Sequence, residues 1–489
     1  VYRSRYDGEK TMTIRVRFAP SPTGYLHLGN MRTALFNYLF AKKQGGKFIL
    51  RIEDTDLERS KVEYEMAQMK DLRWMGIQWD EGPETNGQNG PYRQSERLDI
   101  YQKHIDNLIK NGNAYYCYVT PEETEEMKLH AKLERRPPRF DNRGRDFSPE
   151  EIEKRKAQGI KPTVRFKIES PECSVDDLIR GLVSFNLDDM VGDFVIQRAD
   201  GMPTFHIVVC IDDALMGVTH VIRGEDHLSN TPKHILLYKA LGFVPPKFGH
   251  LSLVNGPGGE PLSKRLDSIS IHQFRKKGYL PEALANYICL LGWAPSGDRE
   301  IVPWEELQQI FDIYKVSKSS SNYDEQKLNW VNSEHLRALT DKKYLALALE
   351  YLKEEGYKIC DEEKLKKMLL IFKDNIHYFE ELKERLDLLS DDFTYDHSEY
   401  LRNPEAQALL DKAIEVLAAV RNEGDEMYSE FTSELKKSVS VKGKQLMMPL
   451  RMALTGKEHG PELKRLFTAL GKEGLLKRLR KALDFSKVG

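Results

Sequence analysis

The sequence predicts an α/β front, a parallel sheet split by an insertion, followed by an all-helical rear. Three observations carry this. Over residues 14–76 short apolar strands alternate with helical spacing, and each strand runs into a polar or glycine-proline cluster. Strand-like runs return near Asp193, after a charged and helix-rich stretch. Beyond about residue 270 strand signals nearly vanish, and amphipathic helical stretches continue to the end. At 489 residues the chain is too long for one ordinary core, and about three or four domains are expected.

Residues 14–18 alternate apolar and basic side chains, then meet Ala19-Pro20-Ser21-Pro22-Thr23-Gly24, which must turn. The spacing over 28–43 is helical, with Leu35, Phe36, Leu39 and Phe40 on one face. Residues 47–52 form a short apolar strand that ends in Glu53-Asp54-Thr55-Asp56. Polar clusters therefore fall just after strands, the edge where doubly wound sheets hold ligands. Residues 94–187, with a Pro137-Pro138 break and a charged run over 128–145, read as an insertion. Strands are expected again at 194–197, 204–211 and 218–222, a helix over 230–241, and a last strand at 250–254. That strand leads into a glycine- and proline-rich loop over 255–265. Farther on, residues 344–355 and 460–483 have the spacing of amphipathic helices, and no internal repeat is evident.

Composition excludes more than it assigns. With 40% hydrophobic and 31% charged residues the chain reads as a soluble globular protein. No apolar run nears the roughly 20 residues that span a bilayer, so no membrane association is expected. Residues 1–13 lack the apolar core of a secretory signal and receive no role. The five cysteines are scattered, odd in number and without a Cys-x-x-Cys pair. A disulfide framework is thereby disfavoured, and a reducing, cytoplasmic setting is expected. A net charge of −2 leaves any polyanionic partner to local patches.

Two strings carry chemistry. In the run from Arg17 to Asn30, a histidine (His27) enters a forming helix and a glycine (Gly29) follows two residues later. An imidazole there can lie beside a phosphate, a glycine admits a nucleotide closely, and the helix N-terminus adds free N–H groups and a positive dipole. The second string, Leu262-Ser263-Lys264-Arg265, sits on the glycine-rich loop after the last strand. A lysine so placed can close over a triphosphate and neutralise charge on leaving pyrophosphate.

In this order and separation the two strings resemble the paired signatures of class I aminoacyl-tRNA synthetases. Further strings narrow the resemblance to bacterial-type glutamyl-tRNA synthetase: Arg51-Ile52-Glu53-Asp54-Thr55-Asp56, Gly90-Pro91-Tyr92-Arg93-Gln94-Ser95-Glu96-Arg97, Val221-Ile222-Arg223-Gly224-Glu225-Asp226-His227-Leu228, and Pro449-Leu450-Arg451-Met452-Ala453-Leu454-Thr455-Gly456. The likeness is collinear over 14–483. It implies a Rossmann-like catalytic domain in two halves, 14–93 and 191–265, around an acceptor-stem-binding insertion at 94–190. A stem-contact region over 266–330 and a helical anticodon-binding region over 331–489 would follow.

The resemblance also implies site residues. His27, Asn30 and Lys264 would be catalytic; Gly29, Leu253, Ser263 and Arg265 would join them in binding ATP, with Mg2+ accompanying the nucleotide. Arg17, Ser21, Glu53 and Arg223 match glutamate-binding positions. Two arginines suit a dicarboxylate, since each guanidinium can make a bidentate, charge-assisted pair. Glutamine would leave a buried arginine unpaired, at about 3–5 kcal/mol, and no editing domain is then required. The implied partners are tRNA-Glu, ATP and L-glutamate, with no obligatory protein partner. tRNA-Glu alone and tRNA-Glu with tRNA-Gln both stay open as substrates.

Three departures from the family pattern matter. Pro261 stands where the second signature usually begins with lysine, which points to weaker handling of ATP. Phe205 replaces a tyrosine of many relatives and is expected only to wall the glutamate pocket. Cys117 lacks the neighbouring cysteine of zinc-binding relatives, so no zinc is expected. For RNA, the basic run of Lys128, Lys132, Arg135, Arg136, Arg139, Arg143 and Arg145 suits phosphates, while Arg451 and Thr455 fall in the rear string. Among rivals, a glutaminyl enzyme would carry β-barrels at the rear, and a base-modifying relative would be shorter. An inactive scaffold would have no need of His27, Lys264, Arg17 and Arg223 together.

Overall fold

The computed structural model describes residues 13–85, 87–135, 139–169, 172–187, 192–260, 262, 269–357, 362–387, 395, 400–459 and 462–487. The chain divides into two compact units, Val1–Gln273 with Leu284–Glu325, and Phe274–Ala283 with Gln326–Gly489.

The first unit opens with β1 (Arg15–Phe18), α1 (Leu28–Lys43), β2 (Lys47–Leu50) and α2 (Val62–Trp74). β1 and β2 pair in parallel, with Arg15 opposite Lys47 and Phe18 opposite Leu50. Nearly every residue of α1 from Leu28 to Ala41 is buried, so the helix is apolar around most of its girth and not only on one stripe. Lys42 and Lys43 close its last turn, where cations complement the helix dipole.

The insertion holds α3 (Leu98–Lys110), β3 (Ala114–Cys117), α4 (Pro121–Leu133), α5 (Pro149–Ala157), β4 (Thr163–Phe166), β5 (Glu172–Asp177) and β6 (Gly181–Asn186). It thus contains strands as well as the expected helices. β7 (Phe194–Gln197) forms where a strand was expected, but it pairs antiparallel with β4 in the three-stranded sheet β3-β4-β7 and not in the parallel layer. The β5–β6 hairpin turns at Gly181, whose φ of +77° suits glycine. Leu178 N in that turn donates to Phe248 O at 2.8 Å, which docks the hairpin onto the next strands.

After β7 come α6 (Phe205–Leu215), β8 (His220–Gly224), α7 (Thr231–Ala240) and β9 (Lys247–Leu251). Here one expectation fails: residues 204–211 are not a strand but the start of α6. The run is buried continuously from Ile207 to Asp213, and a short apolar run without polar alternation has no period that separates a strand from a helix buried all round. β8 and β9 pair in parallel. Thr219 N donates to Arg15 O at 2.9 Å, and Arg15 N to Thr219 Oγ1 at 2.9 Å, so β8 lies beside β1. The parallel layer therefore runs β2-β1-β8-β9, drawn from both sides of the insertion.

The second unit is helical throughout its described residues. Its last helix, Leu463–Lys487, bends at Gly471 (φ 62°) and packs on Pro404–Ala419, Gly424–Ser438 and Lys444–Thr455. Leu410, Phe431 and Leu479 are among its buried side chains. Among the described residues, no helix is long and apolar enough to cross a membrane.

Candidate active site

The carboxyl ends of β1, β2 and β8 meet the starts of α1 and α6 around a cleft of about 810 Å³. Its lining includes Arg17, Ser21, His27, Gly29, Asn30, Glu53, Phe205, Arg223 and Leu253, nine of the residues singled out in the sequence. Ser263, Lys264 and Arg265, like Pro261, lie outside the described residues. Leu262 lines the cleft. On the far side of that string, Ile271 N donates to Leu26 O at 2.9 Å, and Ser270 forms a bridge with His27.

The turn over 19–24 is clamped from two sides. Gln68 of α2 donates through Nε2 to Ser21 O (3.1 Å) and Gly24 O (2.8 Å), and Glu53 N donates to Pro20 O at 3.0 Å. His27 is the N-cap of α1, and its Nδ1 accepts from Gly29 N at 3.2 Å. A neutral ring then carries its proton on Nε2 and can donate from there. Burial lowers the His27 pKa, with Asp226 pulling the other way, so the ring is neutral near pH 7. A Cβ at Gly29 would come within 3.2 Å of the His27 ring. A side chain there would thus crowd the imidazole, which would have to give by a few tenths of an ångström.

Behind the other end of the cleft runs a buried chain of charges. Arg17 Nε sits 3.2 Å from Asp213 Oδ1; Arg51 Nη1 donates to the same oxygen at 2.6 Å, and Arg51 Nη2 to Glu53 Oε1 at 3.1 Å. Beside it, Asp212 accepts from Arg97 Nε (2.7 Å), Gln94 Nε2 (2.9 Å) and the Tyr101 hydroxyl (2.9 Å). Burial opposes the charge of Asp213, yet Arg17 and Arg51 hold its carboxyl below the ordinary range. Burial likewise opposes the Arg51 charge, but Asp213, Asp212 and Glu53 hold its pKa well above the usual arginine value. Glu53 goes the other way: burial raises it, and Arg51 and Arg17 only partly pull it back. An ammonium group arriving at Glu53 would favour its ionised form.

Arg223, at the end of β8, is 5% exposed. Burial, then the nearby Arg17, lowers its pKa to about 10. A dicarboxylate entering this pocket meets two guanidinium groups: Arg17, paired with Asp213, and Arg223, which hydrogen-bonds no carboxylate among the described residues. Phe205 stands beside it, with its ring 5.3 Å from that of His227.

Arg51, Asp212 and Asp213 were not singled out by sequence reasoning. Arg51 lay inside a quoted string, and the only signal for the aspartates was two acids closing an apolar run. Arg32, also unremarked, is buried in the cleft wall, where Nη1 donates to Leu291 O at 2.7 Å and Nη2 to Ser252 O.

The RNA candidates are scattered. Arg135 and Arg139 are exposed, and Arg136 lies outside the described residues. Arg143 pairs with the neighbouring Asp141 at 2.8 Å, both exposed, while Arg145 pairs with Asp193 and braces the insertion. Thr455 must be withdrawn as an RNA contact. It is fully buried, and its hydroxyl closes on Arg451 O (2.8 Å) and Lys457 N (3.2 Å) at the end of its own helix. Arg451 is half-buried. Cys117 packs with Val119 and Met127 in a small apolar cluster. Among the described residues no group of three or more His, Cys, Asp or Glu side chains could hold a metal ion.

Residues 13–330 match the family of class I tRNA synthetases (E and Q), catalytic domain, and residues 343–483 match the anticodon binding domain family. A glutamate–tRNA ligase of Sulfurihydrogenibium sp. is 46% identical over 480 residues, 96% of this chain and 99% of that protein. Glutamate–tRNA ligase 1 of Caldicellulosiruptor saccharolyticus is 45% identical over 484 residues, 96% of this chain and 98% of that protein. A crystal structure of a glutamate tRNA ligase from Elizabethkingia meningosepticum, in complex with its amino acid, matches with a TM-score of 0.85 at 34% identity. That match covers 97% of this chain and 100% of the other. Full-length likeness thus joins a cleft with arginines at one end and an imidazole at a helix N-terminus at the other: the chain belongs to the glutamate–tRNA ligases, within the class I aminoacyl-tRNA synthetases.

Proposed function

We propose that this cleft activates L-glutamate with ATP and passes the glutamyl group to the 3′ end of tRNA-Glu, in the cytoplasm and without an obligatory protein partner. In the first step the glutamate α-carboxylate attacks the α-phosphorus of ATP, which enters as its Mg2+ complex, and pyrophosphate leaves. In the second, a terminal ribose hydroxyl attacks the activated carbonyl and AMP leaves. Arg17 and Arg223 hold the carboxylates, Glu53 meets the ammonium group and Ser21 adds a hydrogen bond. Phe205 walls the side-chain pocket.

His27 Nε2 and Asn30 face the phosphates beside the backbone of Gly29 and Leu253. Lys264, with Ser263 and Arg265, neutralises the leaving group. Positioning and electrostatics carry the first step, because phosphoryl chemistry asks little covalent work of the protein. In this reading 14–93 and 191–265 are the catalytic halves, 94–190 receives the acceptor stem through Arg135, Arg136 and Arg139, 266–330 contacts the stem, and 331–489 reads the anticodon with Arg451.

The observation that supports this best is the convergence of Arg17, Glu53, Arg223, His27 and Asn30, from three separate stretches of chain, on one cleft. ATP–pyrophosphate exchange, run with glutamate or glutamine and with or without tRNA, tests it. Exchange dependent on glutamate is expected, and exchange with glutamine alone would overturn the reading. Charging of purified tRNA-Glu and tRNA-Gln then decides between the two substrate ranges.

A further inference from the structure

The surroundings of Arg223 differ from those of the three arginines buried in and beside the charge relay. Arg17, Arg51 and Arg97 each face an aspartate. The hydrogen-bond partners of Arg223 are instead the His250 ring (Nε to Nε2, 3.2 Å), the His234 ring (Nη1 to Nδ1, 3.1 Å), the Thr231 hydroxyl (2.8 Å) and the His227 carbonyl (3.3 Å). A guanidinium has only donors, so both ring nitrogens facing it must be lone pairs.

That requirement propagates. With the His250 proton on Nδ1, the ring donates to Asp177 Oδ2 at 2.6 Å. The same carboxylate accepts from Ile179 N and Arg180 N, both at 2.9 Å, so the β5–β6 turn holds it in place. With the His234 proton on Nε2, that ring donates to His206 Nδ1 at 3.2 Å. Both chains lead outward from Arg223, one ending on the Asp177 carboxylate and the other on the His206 ring.

We propose that His234 and His250 are positioning residues that determine specificity: two neutral rings, oriented by His206 and Asp177, aim the Arg223 guanidinium without cancelling its charge. The inference rests on reading Arg223 as the partner of the substrate's side-chain carboxylate. A carboxylate in the place of either ring would satisfy the hydrogen bonds and remove the demand for an anion. A neutral acceptor fixes the geometry and leaves that demand to the ligand. Glutamate meets it, and glutamine leaves the charge unpaired.

The test compares His234→Leu and His250→Leu, which remove the acceptors, with His234→Gln, which keeps one acceptor and one donor. Pyrophosphate exchange is measured on the full chain with tRNA, varying glutamate, glutamine and ATP. Both Leu variants should raise KM for glutamate by about tenfold or more, the worth of a hydrogen bond to a charged group. Their KM for ATP should stay within about twofold, and His234→Gln should recover most of the loss. An unchanged glutamate KM in both Leu variants, or a Gln variant as poor as Leu, overturns the proposal. Arg223→Ala separates the two levels. If it abolishes glutamate use while the Leu variants are normal, only the role of the rings fails. If Arg223→Ala itself leaves glutamate KM unchanged, the underlying assignment of Arg223 fails.

Discussion

At the end of the cleft that we assign to glutamate, charged side chains are buried in a relay from Arg17 through Asp213 and Arg51 to Glu53. The end we assign to the nucleotide is made instead of a helix N-terminus, one imidazole and the backbone at Gly29. The contrast follows from what each end must discriminate. A small diacid has to be told from its amide, and that needs fixed charges in a medium too dry to forgive a missing partner. A triphosphate brings its own charge, and backbone N–H groups and a dipole suffice to draw it in.

The most severe way to break this division is Arg223→Ala. It should lower kcat/KM for glutamate by about a hundred- to several-thousand-fold, from a loss of about 3–5 kcal/mol. KM for ATP in pyrophosphate exchange should hardly move, and an equal loss at both ends would merge them into one site. Asp213→Asn attacks the relay beneath the pocket and leaves Arg17 and Arg51 buried without their shared anion. Urea unfolding of the first unit should show a loss of about 3–5 kcal/mol. His27→Ala should lower kcat by about a hundredfold, as for a single donor to a developing charge, with KM for glutamate unchanged.

A gentler test uses pH. Burial, with Lys233 and Arg223 nearby, lowers His206 to about 4; burial, with Lys247, does the same to His220. Both rings are neutral in the folded protein, while the unfolded chain takes up protons near about 6.5. Stability is therefore fully present above about 6.5 and is lost as pH falls toward 4, since the unfolded state then binds more protons. Urea midpoints at pH 7 and 5 should differ in that sense, and His220→Gln should flatten the slope without altering glutamate KM. The smallest effect is expected at the insertion: Arg135→Ala should weaken tRNA binding a few-fold and reduce its salt slope by about one. Glutamate and ATP parameters in that variant should match the parent.

Much of the cleft's lining was legible along the chain because these residues sit in short strings at strand ends. Arg17, Glu53 and Arg223 each close a strand or follow one, and His27 with Gly29 opens a helix. The fold class was legible for a similar reason, since the strand and helix periods differ where polar residues interrupt them. Misreadings came where they do not. The run into α6 has no polar interruption from Ile207 to Ile211, so strand and helix looked alike. Arg145 looked like part of a phosphate-binding patch because Asp193, which holds it, is 48 residues away. Thr455 sat in a matching string, yet its hydroxyl serves its own helix end.

By itself, the sequence determined which segments are strands or helices wherever the period was clean, and which residue types stand at the ends of β1, β2 and β8. Those are local properties, written in spacing and turn chemistry. Only the tertiary structure decided which charge answers which. Asp213 reaches Arg17 across 196 residues, and Asp177 reaches His250 across 73. Such pairings depend on how the parallel layer closes and where the insertion's hairpin docks upon it. In a buried, low-dielectric interior those partners, more than the side chain's own identity, set whether an arginine is satisfied or left wanting an anion.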